Sequence, residues 1–215
     1  MRFQNILFDL DGTLTESHEG ITKSIQYALR KFGIEEENLQ NLIHYIGPPL
    51  QETFMKHYSF DAEKAYLGEV YFREYFDETG IFENKLYLGV AEMLAELHGK
   101  GRKIALATAK PERHAKRILA HFNIEQYFTL IGGVNEEAQR LNKKAVIAYA
   151  LDTLNSPIQE TVMVGDHEHD ILGAHSNGIP AIAVGYGYGR WNELMSGNPE
   201  YFVKNIEELR ILLVG

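Results

Sequence analysis

Short apolar runs of strand type alternate with helical patterns along most of this 215-residue chain. Such runs, nearly free of polar residues, are typical of parallel strands that are buried on both faces. They comprise residues 6–8, 104–107, 128–131, 162–164 and 181–184. Between them, apolar residues recur at the i, i+3, i+4, i+7 spacing of helices. The alternation predicts an α/β fold: a Rossmann-like parallel sheet with helices on both faces and functional residues at the carboxyl ends of its strands.

The segment between the first two runs interrupts this alternation. Residues 15–83 contain several helical patterns and a Gly-Pro-Pro break at residues 47–49, but no convincing strand. A structureless connection of this length would be unusual in a compact domain. We therefore predict an α-helical cap domain over residues 15–83, inserted into a catalytic core formed by residues 1–14 and 84–215.

Composition and charge argue against several classes of partner and of metal site. The chain has 21 basic and 30 acidic residues, so its formal net charge is −9, and neither a nucleic-acid polymer nor a membrane is an expected partner. It contains no cysteine, which excludes disulfides and cysteine metal ligands. It has neither a signal-peptide core nor an apolar run near the roughly 20 residues of a membrane helix. We expect a cytoplasmic protein that is a monomer or a weak dimer.

Two aspartates follow the first apolar run. Asp9 and Asp11 are spaced by one residue, leave the strand on the same side and precede a Gly12-Thr13 turn. A single aspartate at such a place is usually a turn or capping residue. In a pair, one carboxylate can attack phosphorus while the other moves a proton. Gly12 would let backbone N–H groups approach phosphoryl oxygens, so the segment favours phosphate chemistry.

Polar residues also accompany the later elements. Thr108 follows the second run, where its hydroxyl could donate to a phosphate oxygen or cap the next helix. Lys143 and Lys144 begin a predicted helix, and a lysine there would neutralise phosphate and keep an aspartate ionised. Lys143 shares a helical face with the apolar residues that follow, but Lys144 borders that face. Periodicity therefore leaves the choice of lysine open.

A second pair of aspartates follows the fourth run. Asp166 leaves the strand at the same edge as Asp9, and Asp170 lies four residues further on at a helix start. Oxygen ligands without cysteine favour Mg²⁺ over zinc. His167 and His169 raise a zinc alternative, but their spacing does not match the helical i, i+4 zinc pair.

A glycine-rich segment follows the last run. Its sequence, Gly-Tyr-Gly-Tyr-Gly at residues 185–189, lacks the GxGxxG spacing of a dinucleotide-binding loop. We interpret it as a tight loop at the edge of the site.

Taken together, the motifs resemble those of the haloacid dehalogenase superfamily of phosphatases, in the phosphoglycolate phosphatase-like subgroup with a small helical cap. Asp-Leu-Asp-Gly-Thr-Leu-Thr at residues 9–15 resembles the first motif of the family, Thr108 the second and Lys143 the third. Gly-Asp-x-x-x-Asp at residues 165–170 resembles the fourth. The motifs span the whole chain. The chain departs from the family at Ala109, where asparagine is frequent, which leaves the substrate preference open.

The resemblance implies a division of roles. Asp9 would be the nucleophile and Asp11 the general acid and base. Thr108 and Lys143 would stabilise charge on the transferred group, with Lys143 favoured over Lys144. The implied phosphate-binding or substrate-binding residues are Gly12, Thr13, Ala109 and Lys110. The implied Mg²⁺ ligands are Asp9, the backbone carbonyl of Asp11 and Asp166, together with Asp170, which would bind the ion directly or through a water molecule.

The implied activity is magnesium-dependent hydrolysis of a small phosphorylated metabolite, a phosphomonoester such as phosphoglycolate, through an aspartyl-phosphate. A 5'-nucleotidase, a pyrophosphatase or a phosphosugar mutase on the same scaffold are alternatives. A signalling receiver domain also uses a strand-end aspartate, a threonine, a lysine and magnesium. It needs neither a cap nor a second aspartate two residues after the first, so the enzyme is favoured.

Overall fold

The structure is a computed structural model that describes residues 3–135, 137–155 and 157–215. The chain forms two compact units. The core unit comprises Met1–Glu16 and Leu86–Gly215, and the helical unit comprises Ser17–Lys85. Within the described residues, every helix is too short or too polar to cross a membrane.

The regular elements of the described residues are as follows. The strands are β1 Asn5–Phe8, β2 Thr15–Glu16, β3 Lys85–Leu86, β4 Lys103–Pro111, β5 Leu130–Val134, β6 Thr161–Gly165, β7 Ala181–Val184 and β8 Tyr201–Val203. The helices are α1 His18–Lys31, α2 Leu50–Tyr58, α3 Ala62–Phe76, α4 Val90–Gly99, α5 Glu112–His121, α6 Lys143–Leu154, α7 Glu168–His175, α8 Trp191–Ser196 and α9 Ile206–Val214. Short 3-10 helices lie at Leu39–Tyr45, Gly80–Phe82, Glu125–Tyr127 and Ile158–Glu160.

The core unit contains a six-stranded parallel sheet. Its strand order is β5-β4-β1-β6-β7-β8, and each neighbouring pair runs parallel. All four residues of β1 are buried, and Leu7 is in register with Ala105 of β4 and Met163 of β6. The chain order reverses on the two sides of β1, which is where ligands bind in open α/β sheets. The predicted Rossmann-like sheet flanked by helices is confirmed.

Alternate strand residues pack against α6 and α7 on one face of the sheet. Leu7, Ala105 and Met163 contribute from three neighbouring strands, and Ile147 and Ile171 contribute from the two helices. Each is fully buried, and burial of a large aliphatic side chain stabilises a fold by about 1.5–3 kcal/mol. This packing fixes the first residues of α6 and α7, Lys143 and Glu168, close to the sheet.

The sheet differs from the prediction at two places. The strand expected at residues 128–131 begins at Leu130, because a 3-10 helix at Glu125–Tyr127 precedes it. The sixth strand, Tyr201–Val203, was not predicted. It has only three residues and lies at an edge of the sheet, so it carries no continuous apolar run.

The helical unit has an aromatic core of its own. The Phe60 ring lies 4.9 Å from that of Phe32 and 5.6 Å from that of Phe54. Gly68 lies under the Phe54 ring, where a Cβ atom would be 2.8 Å from two ring carbons. One of the helical segments of this unit, Leu39–Tyr45, is a 3-10 helix.

Candidate active site

The first and fourth motifs lie side by side because their strands are neighbours. Phe8, the last residue of β1, is in register with Val164 of β6. The backbone N–H of Asp9 donates to the Val164 carbonyl oxygen at 2.9 Å. Asp166 follows the end of β6 directly. Both aspartates therefore leave the same carboxyl edge of the sheet.

Three carboxylates meet at this edge and form what we call the acidic group, Asp9, Asp166 and Asp170. Each offers one oxygen, and these oxygens all lie within 4.8 Å of one another. The residues are only 8%, 3% and 1% exposed, in that order. Asp170 is oriented by the first turn of α7, where its Oδ2 atom accepts a hydrogen bond from the His167 N–H at 3.0 Å. Among the described residues, neither His167 nor His169 belongs to a candidate metal-ligand group.

Lys143 is the cation of this site. It is the first residue of α6, after the N-cap Asn142. Its Nζ atom lies 2.7 Å from Asp9 Oδ1 and 2.6 Å from Asp170 Oδ1. It also donates to the Ala107 carbonyl oxygen at 3.0 Å. Lys144 is exposed, so the structure brings Lys143, and not its neighbour, to the aspartates.

Burial and charge perturb the ionisation of the site. Burial alone would lower the pKa of Lys143, but the charges of Asp170 and Asp9 raise it above its usual range, so the side chain is an ammonium ion. Burial raises the pKa of Asp166 to about 8, with further contributions from Asp9 and Asp170. Burial also raises the pKa of Asp170 to about 6, against the opposing effect of Lys143. Each shift to a higher carboxyl pKa reflects the cost of confining negative charge here.

The acidic group fits a divalent cation with oxygen ligands. One ammonium ion faces three carboxylates, so a fully ionised site carries excess negative charge. Asp9 Oδ1 and Asp170 Oδ1 face the Lys143 ammonium but receive no hydrogen bond of good geometry among the described residues. Carboxylate oxygens that keep free acceptor capacity are the ligands that hard cations take. The three aspartates could therefore hold a metal ion.

Gly12 and Thr13 pack against Asp166. The Thr13 hydroxyl donates to Asp166 Oδ1 at 3.1 Å, and Thr13 is fully buried. Gly12 has a φ of +79°, and a Cβ atom there would lie 2.2 Å from Asp166 Oδ2. The position therefore requires glycine for both its backbone conformation and its close approach to the carboxylate.

Asp11 has a separate partner. Its Oδ2 atom lies 2.8 Å from Lys110 Nζ, and both side chains are largely buried. Lys110 thus contacts one of the two aspartates of the first motif, and Lys143 contacts the other. Ala109, between Thr108 and Lys110, is exposed.

Thr108 lies within β4 and not at its end. The strand continues to Pro111, with a register shift between Ala107 and Pro111. The Thr108 hydroxyl accepts a hydrogen bond from the Lys110 N–H at 3.2 Å. Pro111 occupies the N-cap position of α5, so the alternative that Thr108 caps this helix is wrong.

Sequence reasoning did not predict that the loop after β7 contacts Asp166. We call residues 185–189 the glycine loop. The Tyr188 N–H donates to Asp166 Oδ2 at 2.8 Å. A Cβ atom at Gly187 would lie 2.3 Å from Asp166 Cβ, and one at Gly189 would lie 1.9 Å from the Asp166 carbonyl oxygen. The alternating glycines of the sequence indicated a close backbone approach at this loop. They did not reveal its partner, because Tyr188 and Asp166 are 22 residues apart along the chain.

Comparisons with known proteins point to one family. The family model described as haloacid dehalogenase-like hydrolase matches residues 6–184. The chain is 41% identical to a protein of Pseudomonas aeruginosa named 5'-nucleotidase, over 99% of this chain and 96% of that protein. It is also 40% identical to the Mycobacterium tuberculosis protein named tyrosine-protein kinase PtkA, over 87% of this chain but only 64% of that longer protein.

More distant relatives and solved structures extend the comparison. The chain is 29% identical to the pyrophosphatase PpaX of Halalkalibacterium halodurans, over 97% of this chain and 96% of that protein. It is 26% identical to the phosphoglycolate phosphatase of Pseudomonas fluorescens, over 95% of this chain and 77% of that protein. The crystal structure of a predicted phosphatase from Clostridium acetobutylicum superposes with a TM-score of 0.94 and 42% identity, over 100% of this chain and 99% of that one. The chain belongs to the haloacid dehalogenase-like hydrolase family and is an enzyme of its phosphatase class.

Proposed function

We propose that the protein is a magnesium-dependent phosphomonoesterase that works through a phosphorylated Asp9. One observation carries this proposal: Lys143 Nζ bridges Asp9 and Asp170 at 2.7 and 2.6 Å within a buried group of three carboxylates. A structural salt bridge needs only one carboxylate for one lysine, whereas this site, with its three carboxylates ionised, would hold two more negative charges than Lys143 neutralises. Such an arrangement suits an anionic substrate that arrives together with a cation.

The acidic group supports Mg²⁺ as that cation. Asp9, Asp166 and Asp170 would supply carboxylate oxygens, and the Asp11 backbone carbonyl would complete the protein ligands. All of these are oxygen donors, which Mg²⁺ prefers. Bound Mg²⁺ would neutralise charge on the transferred phosphoryl group.

Asp9 and Asp11 divide the first chemical step. An Asp9 carboxylate oxygen attacks phosphorus, and the bond from phosphorus to the ester oxygen breaks. Asp11 donates a proton to the leaving alcohol oxygen. The Lys143 ammonium and the Thr108 hydroxyl stabilise negative charge on the phosphoryl oxygens, because charge stabilisation dominates catalysis of this reaction class.

The second step restores the enzyme. Asp11, now a carboxylate, takes a proton from water, and the resulting hydroxide oxygen attacks the phosphorus on Asp9. The bond from phosphorus to the Asp9 oxygen breaks, inorganic phosphate leaves and the Asp9 carboxylate is regenerated. One residue can serve as acid and then as base because each half-reaction leaves it in the protonation state that the other needs.

The substrate that we propose is a small phosphorylated metabolite in the cytoplasm, a phosphomonoester of the phosphoglycolate type. A nucleoside 5'-monophosphate is a second candidate, because the relative that is 41% identical over nearly its full length is named 5'-nucleotidase. We propose that the helical unit, Ser17–Lys85, acts as the cap that selects between such substrates. We also propose that the protein works as a monomer or a weak dimer.

A phosphate-release screen tests this function. The panel contains phosphoglycolate, nucleoside 5'-monophosphates, pyrophosphate and sugar phosphates, each with Mg²⁺ and with EDTA. We expect phosphate release with Mg²⁺, at least a hundredfold less in EDTA, and none from Asp9→Asn. Isomerised sugar phosphate in place of free phosphate would favour a mutase. A phosphoprotein that persists for minutes after an acyl phosphate donor is added would favour a receiver domain.

A further inference from the structure

We propose that Thr13 and the glycine loop hold Asp166 as a single-oxygen metal ligand and thereby make the site prefer Mg²⁺ over Ca²⁺. This inference rests on the proposed function, since it deepens the role of the acidic group. Thr13 and Tyr188 act here as positioning residues for Asp166. Neither would itself contact the metal through its side chain.

Both carboxylate oxygens of Asp166 are already engaged. Oδ1 accepts the Thr13 hydroxyl hydrogen bond at 3.1 Å, and Oδ2 accepts the Tyr188 backbone N–H at 2.8 Å. The two donors belong to segments that follow different strands, β1 and β7. Because each oxygen has its own donor, the two hydrogen bonds together fix the plane of the carboxyl group as well as its position. Asp166 is 3% exposed, so water does not compete for these oxygens.

Steric contacts reinforce the two hydrogen bonds. The Gly187 and Gly189 backbones approach Asp166 so closely that a Cβ atom at either position would lie within 2.3 Å of it. The loop is also tied to Thr13 directly, because the Tyr186 hydroxyl donates to the Thr13 carbonyl oxygen at 3.0 Å. Asp166 is therefore held by two hydrogen bonds and by close backbone contacts, and these are connected to one another through Thr13 and Tyr186.

A carboxylate held in this way discriminates between the two cations. Mg²⁺ demands near-ideal octahedral geometry and takes one oxygen from each carboxylate, whereas Ca²⁺ accepts six to eight ligands and often binds a carboxylate through both oxygens. An Asp166 fixed at both oxygens supplies one ligand atom in a constant direction. A freed Asp166 could rotate towards bidentate binding, which would favour the larger cation.

The test measures metal binding through thermal stability and needs no activity. The metal-free protein is titrated with MgCl₂ or CaCl₂, and the midpoint of the rise in melting temperature is recorded. Thr13→Val removes the hydroxyl while keeping the shape of the side chain, and Thr13→Ser restores it. Thr15→Val is the matched control, because the Thr15 hydroxyl is also buried but donates to the Leu10 carbonyl oxygen at 3.4 Å.

For Thr13→Val we expect the MgCl₂ concentration at the midpoint to rise by about 10–100-fold, the usual effect of removing a partner of a metal ligand. The CaCl₂ concentration at the midpoint should rise by about threefold or less, because Ca²⁺ accepts flexible coordination. Thr13→Ser and Thr15→Val should retain the wild-type ratio of the two midpoints. Equal factors for the two metals, or no change in either midpoint, would overturn the inference. If Thr13→Val does not fold, Gly187→Ala tests the same ratio through the glycine loop. A wild-type protein that binds no Mg²⁺ would contradict the proposed function as well.

Discussion

Lys110 Nζ lies 2.8 Å from Asp11 Oδ2, while Lys143 Nζ lies 2.7 Å from Asp9 Oδ1. Two aspartates that are only two residues apart in the sequence therefore have two different lysines. Asp9 belongs to the acidic group, and Asp11 pairs with Lys110 of β4. This separation matches the separate roles proposed for the two carboxylates, nucleophile and proton carrier.

Replacing Lys110 with methionine should weaken proton transfer by Asp11. The substitution keeps the length of the side chain but removes the ammonium that orients the Asp11 carboxylate. We expect kcat/KM to fall by about tenfold to a hundredfold, part of the 10²–10⁴ that a positioned general acid and base contributes. Lys110→Arg, which keeps the positive charge, should recover a large part of the loss. Lys116→Met is the control, because Lys116 is exposed and pairs with Glu112. Wild-type kinetics in Lys110→Met would show that Lys110 does not position Asp11.

Asp11→Asn should separate the two chemical steps. A substrate with an activated leaving group, such as p-nitrophenyl phosphate, needs no proton in the first step, but water attack in the second step still needs a base. We therefore expect a burst of one p-nitrophenol per enzyme followed by a steady rate lower by about 10²–10⁴. Stopped-flow absorbance measures both phases. A steady rate reduced without any burst would mean that Asp11 does not serve the second step.

Replacing Lys143 should lower kcat strongly, whereas replacing its neighbour Lys144 should not. Lys143 is buried against Asp9 and Asp170, whereas Lys144 is exposed. Lys143→Met should lower kcat by about a thousandfold or more, since it removes charge stabilisation from the transferred group. Lys144→Met should leave kcat and the melting temperature near their wild-type values. Comparable losses in the two variants would refute the assignment of Lys143.

Metal-free stability should depend on pH through Asp166. Its pKa in the folded protein is about 8, well above the value of about 3.9 for an unfolded aspartate. Between these values the unfolded chain releases a proton that the folded chain retains, so the free energy of unfolding decreases as pH rises.

Asp166→Asn removes this pH dependence, because an amide does not ionise. In EDTA we expect the variant to melt at a higher temperature than the wild type at pH 8 and at a similar temperature near pH 4. With Mg²⁺ the order should reverse at pH 8, because only the wild type gains a metal ligand. Calorimetry at the two pH values measures these differences. A variant that melts below the metal-free wild type at pH 8 would contradict the buried-charge account of Asp166.

Much of the fold follows from local patterns. The apolar runs predicted five of the six strands of the sheet, since a parallel strand buried on both faces leaves a strong signal. The proximity of Asp9 and Asp166 also follows, because parallel strands bring their carboxyl ends to one edge. The three-residue β8 left no such signal.

Other features of the site depend on tertiary packing. Lys143 and Lys144 could not be separated by periodicity, because both lie near the apolar stripe of α6, and only packing of that helix on the sheet directs one of them to Asp9. The contact of the glycine loop with Asp166 depends on where β7 places residues distant in the chain. The Lys110–Asp11 pair depends on the local shift in β4, which strand propensity does not reveal.

The identity of the phosphorylated residue tests the central claim most directly. Asp11→Asn protein is mixed with ³²P-labelled p-nitrophenyl phosphate, whose leaving group needs no proton, and with Mg²⁺, and is quenched in acid within one turnover. Protein-bound label is counted in one portion, and a second portion is reduced with borohydride, which converts an aspartyl-phosphate to homoserine and releases its phosphate. Peptide mass spectrometry then locates the modified position. We predict homoserine at position 9 and loss of the protein-bound label in the Asp9→Asn, Asp11→Asn double variant. Label on another residue, or an unlabelled protein that still releases phosphate, would contradict the assignment of Asp9 as the nucleophile.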